Sequence, residues 1–323
     1  MAGAAHSLAA IPVMTGPSVV HELAALRRAL GGGPRLLIKR DDAIGFACGG
    51  NKVRKMALVA AAARRDGADT LITCGGRQSN HARVTAITAA HLGLRCILVL
   101  NAGADTADLP PTGNLLLDTL AGAEIRYVRT RDERDPGMAA AADDVRQRGG
   151  RPAIIPLGAS TPLGAAAFVS AVDELMQQID PPTVIVHASS SGGTQAGLVA
   201  GCILAGLPTR VVGVSADEPS ASLSETVKRL LAGLPPLLGI GAGRFDAAVV
   251  EVDDRFIGDG YGVPTAASRE ALELALRREG FVLDHTYTAK AMAGLISRVR
   301  AGAFTAADTV LFWHTGGQPG LFA

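Results

Sequence analysis

The sequence predicts an α/β protein built on two open, mainly parallel sheets with helices on both faces. Three observations carry this prediction. Short β-branched runs alternate with longer Ala/Leu-rich stretches along the chain. Many of these runs are continuously apolar rather than alternating, as expected of strands covered on both sides. They also fall into two groups, from about Gly45 to Pro156 and from about Ser160 onward, either side of GASTPLG at 158–164. A length of 323 residues suits two units of about 150 residues each.

In chain order, Arg35–Lys39 is the first expected strand. It precedes the first group and would return to the second sheet, making the smaller unit an insertion. Thr70–Cys74, Cys96–Leu100, Ile125–Val128 and Ala153–Pro156 supply the strands of the smaller unit. Thr183–His187, Arg210–Ser215, Val249–Val252 and Thr309–His314 supply those of the larger one. Helices are expected at Asn80–Leu92, Leu163–Ile179, Gln195–Ala205 and Ala266–Glu279, where the apolar spacing is longer. The division is therefore 1–45 with 158–323 for the larger domain and 46–157 for the smaller.

Composition excludes several classes of function. Lys and Arg number 31 against 30 acidic residues, a formal charge of +1, so no nucleic acid or anionic membrane is implied as partner. Aromatics are 4% of the chain, too few for a platform that stacks single-stranded bases. Cys48, Cys74, Cys96 and Cys202 form no C-x-x-C pair and read as reduced thiols, with Cys74 and Cys96 in buried strands. The N-terminal stretch lacks a basic region and is interrupted by Pro12, which argues against a secretion signal. The longest strongly apolar run, AGLVAGCILAGLP, is too short to span a bilayer. A soluble, cytoplasmic protein is expected.

Ligands of open α/β sheets bind beyond the carboxyl ends of strands, and four such places are unusual. The first is KRDDAIGFACGGNKVRK, where Gly49 and Gly50 open a helix bearing Asn51, Lys52 and Lys55. The chain has only five lysines. A desolvated lysine can lose its proton and bond covalently to a carbonyl, which arginine cannot; a solvated first helical turn is the plainer alternative. The second is TCGGRQSNHAR, whose Ser79 or Asn80 can cap a helix that attracts carboxylate or phosphate. Capping alone does not explain the whole cluster Gln78-Ser79-Asn80-His81. The third, HASSSGGTQAG at 187–197, has the hydroxyls and glycines of a phosphate cradle, without the Gly-Lys-Ser/Thr ending of a P-loop. The fourth, VLFWHTGGQ at 310–318, ends a strand on His314, Thr315, Gly316 and Gly317. Two of the three tyrosines, Tyr261 and Tyr287, lie in polar turns either side of one helix. No H-E-x-x-H or similar spacing supports a metal, and no G-x-S-x-G elbow supports a serine hydrolase.

Together, the order KRDD, GGNKxRK, QSNHAR, SGGTQAGL, GYGVP, YTxKAMAGL and HTGG resembles the D-cysteine desulfhydrase and 1-aminocyclopropane-1-carboxylate deaminase family, over about Leu36 to Phe322. The resemblance implies pyridoxal 5'-phosphate, the tryptophan synthase β-like arrangement known as fold type II, and a cofactor between the two sheets. The smaller domain would then carry the lysine segment and the substrate loop. Lys52 would hold the cofactor covalently and shuttle the α-proton, with Asn51 beside it. Asn80 would bond the pyridine hydroxyl. Ser191, Gly192, Gly193 and Thr194 would hold the phosphate, with Lys55 nearby. Ser79, Asn80 and His81 would meet the substrate, Tyr261 and Tyr287 would line the reacting face, and Thr315 with Gly316 would lie by the pyridine nitrogen. A homodimer acting on a small amino acid is implied as well.

The resemblance also bears on substrate. Members that open the cyclopropane ring have Glu after the second tyrosine and Leu in the H-x-G-G segment, where this chain has Thr288 and Thr315. Neutral partners suit a β-substituent that leaves easily, so α,β-elimination is expected. D-cysteine, giving pyruvate, sulfide and ammonia, comes first. L-cysteate or another β-substituted amino acid is the alternative, and the cyclopropane substrate comes behind both. Arg77 departs from the usual small or apolar residue, and in the cleft it would bind a second anion. Ala165–Ala167 replace bulkier residues and would enlarge the pocket. A nicotinamide dehydrogenase is disfavoured by the glycine spacing of SSSGGTQAG, and a catalytically dead binding protein by the intact Lys52, Ser79, Tyr261 and Tyr287.

Overall fold

The computed structural model describes residues 8–102 and 109–323. Each of the nine expected strands is present, β6 and β9 shifted along the chain by a residue or two. The larger sheet has six strands in the order β1-β2-β10-β7-β8-β9. Here β1 is Val20–Glu22, β2 Arg35–Arg40, β7 Val184–Ser189, β8 Arg210–Ser215, β9 Glu251–Asp253 and β10 Thr309–His314. All of its pairings are parallel except β1 with β2. The smaller sheet is fully parallel in the order β5-β4-β3-β6, with β3 Thr70–Gly76, β4 Arg95–Asn101, β5 Glu124–Val128 and β6 Pro152–Ile154. The first expected strand, β2, does lie in the larger sheet, against β10. The one strand not foreseen is β1, a three-residue polar edge whose Val-His-Glu carries no strand pattern.

Period-two packing explains the continuous apolar runs. Leu37, Ile185, Val211 and Leu311 point to one face of the larger sheet, against the helices α6 (Pro162–Met176) and α7 (Gly193–Leu204). Their neighbours Leu36, Val184, Val212 and Val310 point to the other face, against α10 (Ala266–Glu279) and α11 (Thr288–Arg300). In the smaller sheet, Leu71 and Leu98 meet α2 (Asn51–Arg65) and α3 (Asn80–His91). Ile72 and Val99 face α5 (Arg134–Gln147). Four shorter or more peripheral helices are α1 (Ala24–Ala29), α4 (Gly113–Leu120), α8 (Ser220–Ala232) and α9 (Pro235–Leu238). The apolar AGLVAGCILAGLP run is the buried helix expected of it. A Cβ added at Gly197 of α7 would lie 2.1 Å from the Ala165 carbonyl oxygen, so only glycine permits this helix contact.

That contact corrects one expectation. Ala165–Ala167 are buried in the seam between α6 and α7; they are small because two helices touch there, and they do not line the cleft. The KRDD segment also finds its explanation in packing. Arg54 of α2 donates to Asp41 through Nε and Nη2 at 2.9 and 2.8 Å, and to Glu174 of α6 at 2.8 Å. Lys39 donates to Glu174 and to the Ser18 carbonyl, and Trp313 Nε1 donates to Asp41 at 2.8 Å. Two cations thus face two carboxylates in a satisfied, largely buried network that fixes α2 against the larger sheet. Cys74, Cys96 and Cys202 are buried thiols and Cys48 is exposed. Among the described residues no helix is long and apolar enough to cross a membrane.

Candidate active site

The carboxyl ends of β3, β7, β8 and β10 converge on a cleft of about 590 Å³ lined from both sheets. Its floor is set by two glycine loops lying back to back. Gly50 has φ +102, and a Cβ there would stand 2.8 Å from the Thr315 carbonyl oxygen. Gly49, at φ +66, would strike the Asp42 carbonyl at 2.3 Å. The Asn51 N–H donates to the Thr315 carbonyl at 3.1 Å and the Gly50 N–H to that of Asp41 at 2.7 Å. The paired glycines are therefore required by close backbone approach, and they aim the first turn of α2 into the cleft.

Lys52 and Lys55 enter from that turn. Both amines donate to the Gly158 carbonyl at 3.3 Å, and Lys55 also donates to Ser160 Oγ at 3.1 Å. Desolvation pulls the Lys52 amine down to about 8, against a hydrogen bond with Lys55 that raises it. Lys55, desolvated and beside the charge of Lys52, is pushed well below the ordinary lysine range. Two amines on one carbonyl do not both stay charged at neutral pH, and Lys52 holds the proton against the neutral Lys55 amine.

Above the lysines, the Ser190–Gly193 turn opens α7. Gly192 is left-handed at φ +76, and the first N–H groups of the helix have no intrahelical acceptor. Ser191 Oγ lies 2.7 Å from Ser160 Oγ, and Asn51 Nδ2 donates to Thr194 Oγ1 at 2.9 Å. A Cβ at Gly193 would come within 2.8 Å of both Lys55 Nζ and Ser160 Oγ. Hydroxyls, helix N–H groups and an amine thus converge without an acidic side chain among them, which is the donor set of a phosphate.

The QSNH loop forms the opposite wall. Ser79 caps α3, its Oγ accepting from the Ala82 N–H at 3.2 Å. Asn80 Oδ1 accepts from Arg83 Nη1 at 2.9 Å and from Asn114 Nδ2 at 3.0 Å. With its carbonyl oxygen so engaged, Asn80 has its Nδ2 left to donate toward the cleft. Arg83 is buried and also donates to the Gly49 carbonyl at 2.9 Å, so it ties the QSNH loop to the lysine loop. His81 pairs with Thr73 Oγ1 at 2.8 Å; burial, with both lysines nearby, pushes it well below its usual range and keeps it neutral.

Tyr261 and Tyr287 share a hydrogen bond between their hydroxyls, with rings edge to face at 5.6 Å between centroids. Burial raises Tyr261 above the ordinary phenol value, and burial beside Tyr261 raises Tyr287 well above it, so both stay protonated at neutral pH. The Arg131 guanidinium stacks on Tyr261 at 5.1 Å and donates to Asp217 Oδ2 at 2.9 Å.

Of the residues singled out in the sequence, Asn51, Lys52, Lys55, Ser79, Asn80, His81, Ser191, Gly192, Thr194, Tyr261, Tyr287, Thr315 and Gly316 line this one cleft, with Gly193 packed beneath Lys55. Arg77 does not line it. Its Nη2 donates to the carbonyls of Leu109 and Pro110 at 2.9 and 3.0 Å, so the expected second-anion site at Arg77 is corrected to a loop brace. Thr288 also turns away, donating to Asp284 Oδ1 at 2.6 Å. Sequence reasoning missed Gly158, Ser160, Arg83 and Arg131. Ser160 sits in the GASTPLG crossover that had already stood out; Arg131 had no signal. Among the described residues no cluster could hold a metal ion.

The donor sets fit pyridoxal phosphate: a phosphate cradle, a partly deprotonated amine beside it and an amide donor across the cleft. Comparisons agree. Residues 12–316 match the family described as pyridoxal-phosphate dependent enzyme. The chain is 37% identical to a 1-aminocyclopropane-1-carboxylate deaminase of Burkholderia ambifaria, over 97% of this chain and 95% of that protein. It is 38% identical to one of Burkholderia vietnamiensis over the same shares. Among solved structures, an ACC deaminase homologue superposes with a TM-score of 0.91 at 32% identity, covering 99% of this chain and 95% of that one. A bacterial threonine deaminase, with a TM-score of 0.67 at 21% identity over 94% of this chain and 92% of that one, shares the fold.

Proposed function

Because this chain belongs to the pyridoxal-phosphate dependent enzymes, and among them to the family of 1-aminocyclopropane-1-carboxylate deaminases and D-cysteine desulfhydrases, we propose that it is a lyase eliminating the β-substituent of a small amino acid, D-cysteine foremost. One observation carries the reading. The same cleft holds a base, the Lys52 amine pulled down to about 8, and an acid, the protonated Tyr261–Tyr287 pair. Elimination across Cα and Cβ needs one of each.

When bound, pyridoxal phosphate supplies an electron-withdrawing ring that acidifies the α-C–H of an attached amino acid. The protein supplies the rest. The N-terminus of α7, Ser191, Thr194 and Lys55 hold the phosphate, and Asn80 Nδ2 donates to the ring oxygen. The N-terminus of α3, with Ser79 and the neutral His81 beside it, receives the substrate carboxylate. Lys52 Nζ takes the α-proton. A tyrosine hydroxyl protonates the departing sulfur, so that sulfide leaves uncharged and its electrons need not be stabilised as a thiolate. The balance is D-cysteine and water giving pyruvate, ammonia and hydrogen sulfide. Thr315, neutral and lining the cleft, suits a leaving group that needs little help. The working units in this reading are 1–45 with 158–323 for the larger domain and 46–157 for the smaller, in a cytoplasmic homodimer.

The relatives' own names favour a second reading, opening of the cyclopropane ring. A panel of D- and L-cysteine, L-cysteate, β-chloroalanine and 1-aminocyclopropane-1-carboxylate decides, scored for keto acid, sulfide and sulfite. D-cysteine is expected to have a kcat/KM about tenfold or more above the ring substrate. A ring substrate turned over faster than every β-substituted amino acid refutes the proposal.

A further inference from the structure

Lys290 lies outside the cleft and is fully buried. It is on α11, three residues past Tyr287. Its ammonium donates to the carbonyls of Ile257 and Gly260, each at 2.7 Å, and of Ala216 at 3.1 Å. Three carbonyl oxygens from two separate segments thus converge on one positive point, and each of the three ammonium protons has an acceptor. One segment is the end of β8, leading into Asp217, which receives Ser190 Oγ at 3.1 Å and Arg131 at 2.9 Å. The other is the glycine-rich turn that delivers Tyr261. A cage of inward-turned backbone carbonyls is the ligand set of a desolvated monovalent cation. Here the chain provides the cation itself.

We propose that the Lys290 ammonium is a built-in monovalent cation, and that it is the positioning residue holding Tyr261 against Tyr287. One helical turn then carries both Tyr287 and the grip on the loop of its partner, so the spacing of the two hydroxyls is set within α11 rather than by the mobility of the 257–261 turn. Without the side chain, three carbonyls remain aimed at one point, a site of the size and charge preference of potassium or ammonium. The cage stands on its own geometry; its bearing on chemistry rests on the reading of the two tyrosines as the acid.

The test follows thermal unfolding of the wild-type holoenzyme and Lys290→Ala in potassium, ammonium and tetramethylammonium chloride at equal ionic strength. The wild type is expected to unfold within about 1 °C in all three. In tetramethylammonium, Lys290→Ala is expected to unfold about 4 °C or more lower, and to regain about half of the loss, saturably, in potassium or ammonium. A variant that responds alike to the three salts overturns the proposal, as does a wild type that gains as much from potassium as the variant does. Lys290→Gln, uncharged but of similar reach, should show the same deficit with a smaller salt response. If neither variant folds, the wild type decides alone: indifference to the salts supports a filled site and stabilisation by potassium refutes it. Positioning is read separately. With the best substrate of the panel, kcat of Lys290→Ala should fall about tenfold with KM little changed and recover in potassium or ammonium; a kcat that falls and is not recovered leaves Lys290 a packing residue only. Unfolding reads no turnover, so failure of the substrate panel and failure of the cage are distinguishable.

Discussion

Lys52 should be the most reactive amine of the protein at neutral pH once the cofactor has been removed. The amine is drawn from 10.5 to about 8. At pH 7 an ordinary lysine is about 0.03% deprotonated and one at 8 about 10%, a gain of about 300-fold in free amine. The shift corresponds to about 3 kcal/mol favouring the neutral form, and burial is its leading cause. The assay is a brief pulse of an acylating reagent from about pH 6 to about pH 10, followed by peptide mass spectrometry. With five lysines in the chain, each peptide is readily assigned, and exposed Lys228 reports reagent activity. Labelling of Lys52 should be half-maximal near pH 8. In Lys55→Met the midpoint should move lower, because the amine that accepts a hydrogen bond from Lys52 is lost while burial remains. The linkage has a definite sign. Between about 8 and 10.5 the unfolded chain binds a proton at Lys52 that the folded chain does not, so this group's contribution to stability rises with pH across that window. A Lys52 midpoint at or above 10 refutes the argument that desolvation prepares the base.

Three further outcomes follow from the same geometry. Gly50→Ala places a Cβ 2.8 Å from the Thr315 carbonyl at φ +102; calorimetry should show a loss of about 2–4 kcal/mol, with weakened cofactor uptake, and a wild-type melting curve would contradict the interlocked loops. Tyr287→Phe removes one hydroxyl of the acid pair and should lower kcat about 100-fold or more while the visible cofactor band is kept; unchanged turnover of D-cysteine removes the tyrosines from the mechanism. Thr288→Glu sets a second carboxylate against Asp284, which Thr288 Oγ1 now meets at 2.6 Å; thermal unfolding should show a destabilisation of about 2 kcal/mol or more at neutral pH that shrinks as acid protonates the pair.

Much of this was legible in the residues because backbone demands leave marks. Leu36, Leu37, Val184 and Ile185 are apolar in succession because both faces of the sheet are covered. Gly49 and Gly50 are paired because carbonyls of other segments pass within contact of their Cα atoms. Side-chain direction leaves fainter marks. Arg77, Thr288 and Ala165–Ala167 all adjoin segments that do build the cleft, yet each points elsewhere: to loop carbonyls, to a helix cap, to a helix seam. Adjacency along the chain places a residue's backbone, and one position of helical or strand rotation turns its side chain away. Arg131 and Lys290 were illegible for the complementary reason. Their partners, Asp217 and the carbonyls of Ala216, Ile257 and Gly260, are distant in sequence and mostly main chain, so no pattern of residue types announces them.

The two threonines that bear on substrate have to be weighed apart. Asp284 accepts from the N–H groups of Thr286, Tyr287 and Thr288, each at 2.9 Å, and so caps α11 from outside its first turn. Thr288 completes that cap, donating its hydroxyl to Asp284 and accepting the Asp284 N–H at 2.8 Å. Its identity is therefore fixed by the start of the helix that carries Tyr287. A glutamate at this position would need a different cap before it could reach the cleft, so a change of substrate by way of residue 288 would have to involve Asp284 too. Thr315 carries no such obligation: its carbonyl serves the lysine loop, and it lies on the cleft wall at the end of β10. Of the two sequence differences that favour an easily departing β-substituent, only the one at 315 acts where the reaction happens, and it does so as a neutral hydroxyl beside Gly50 and the first turn of α2.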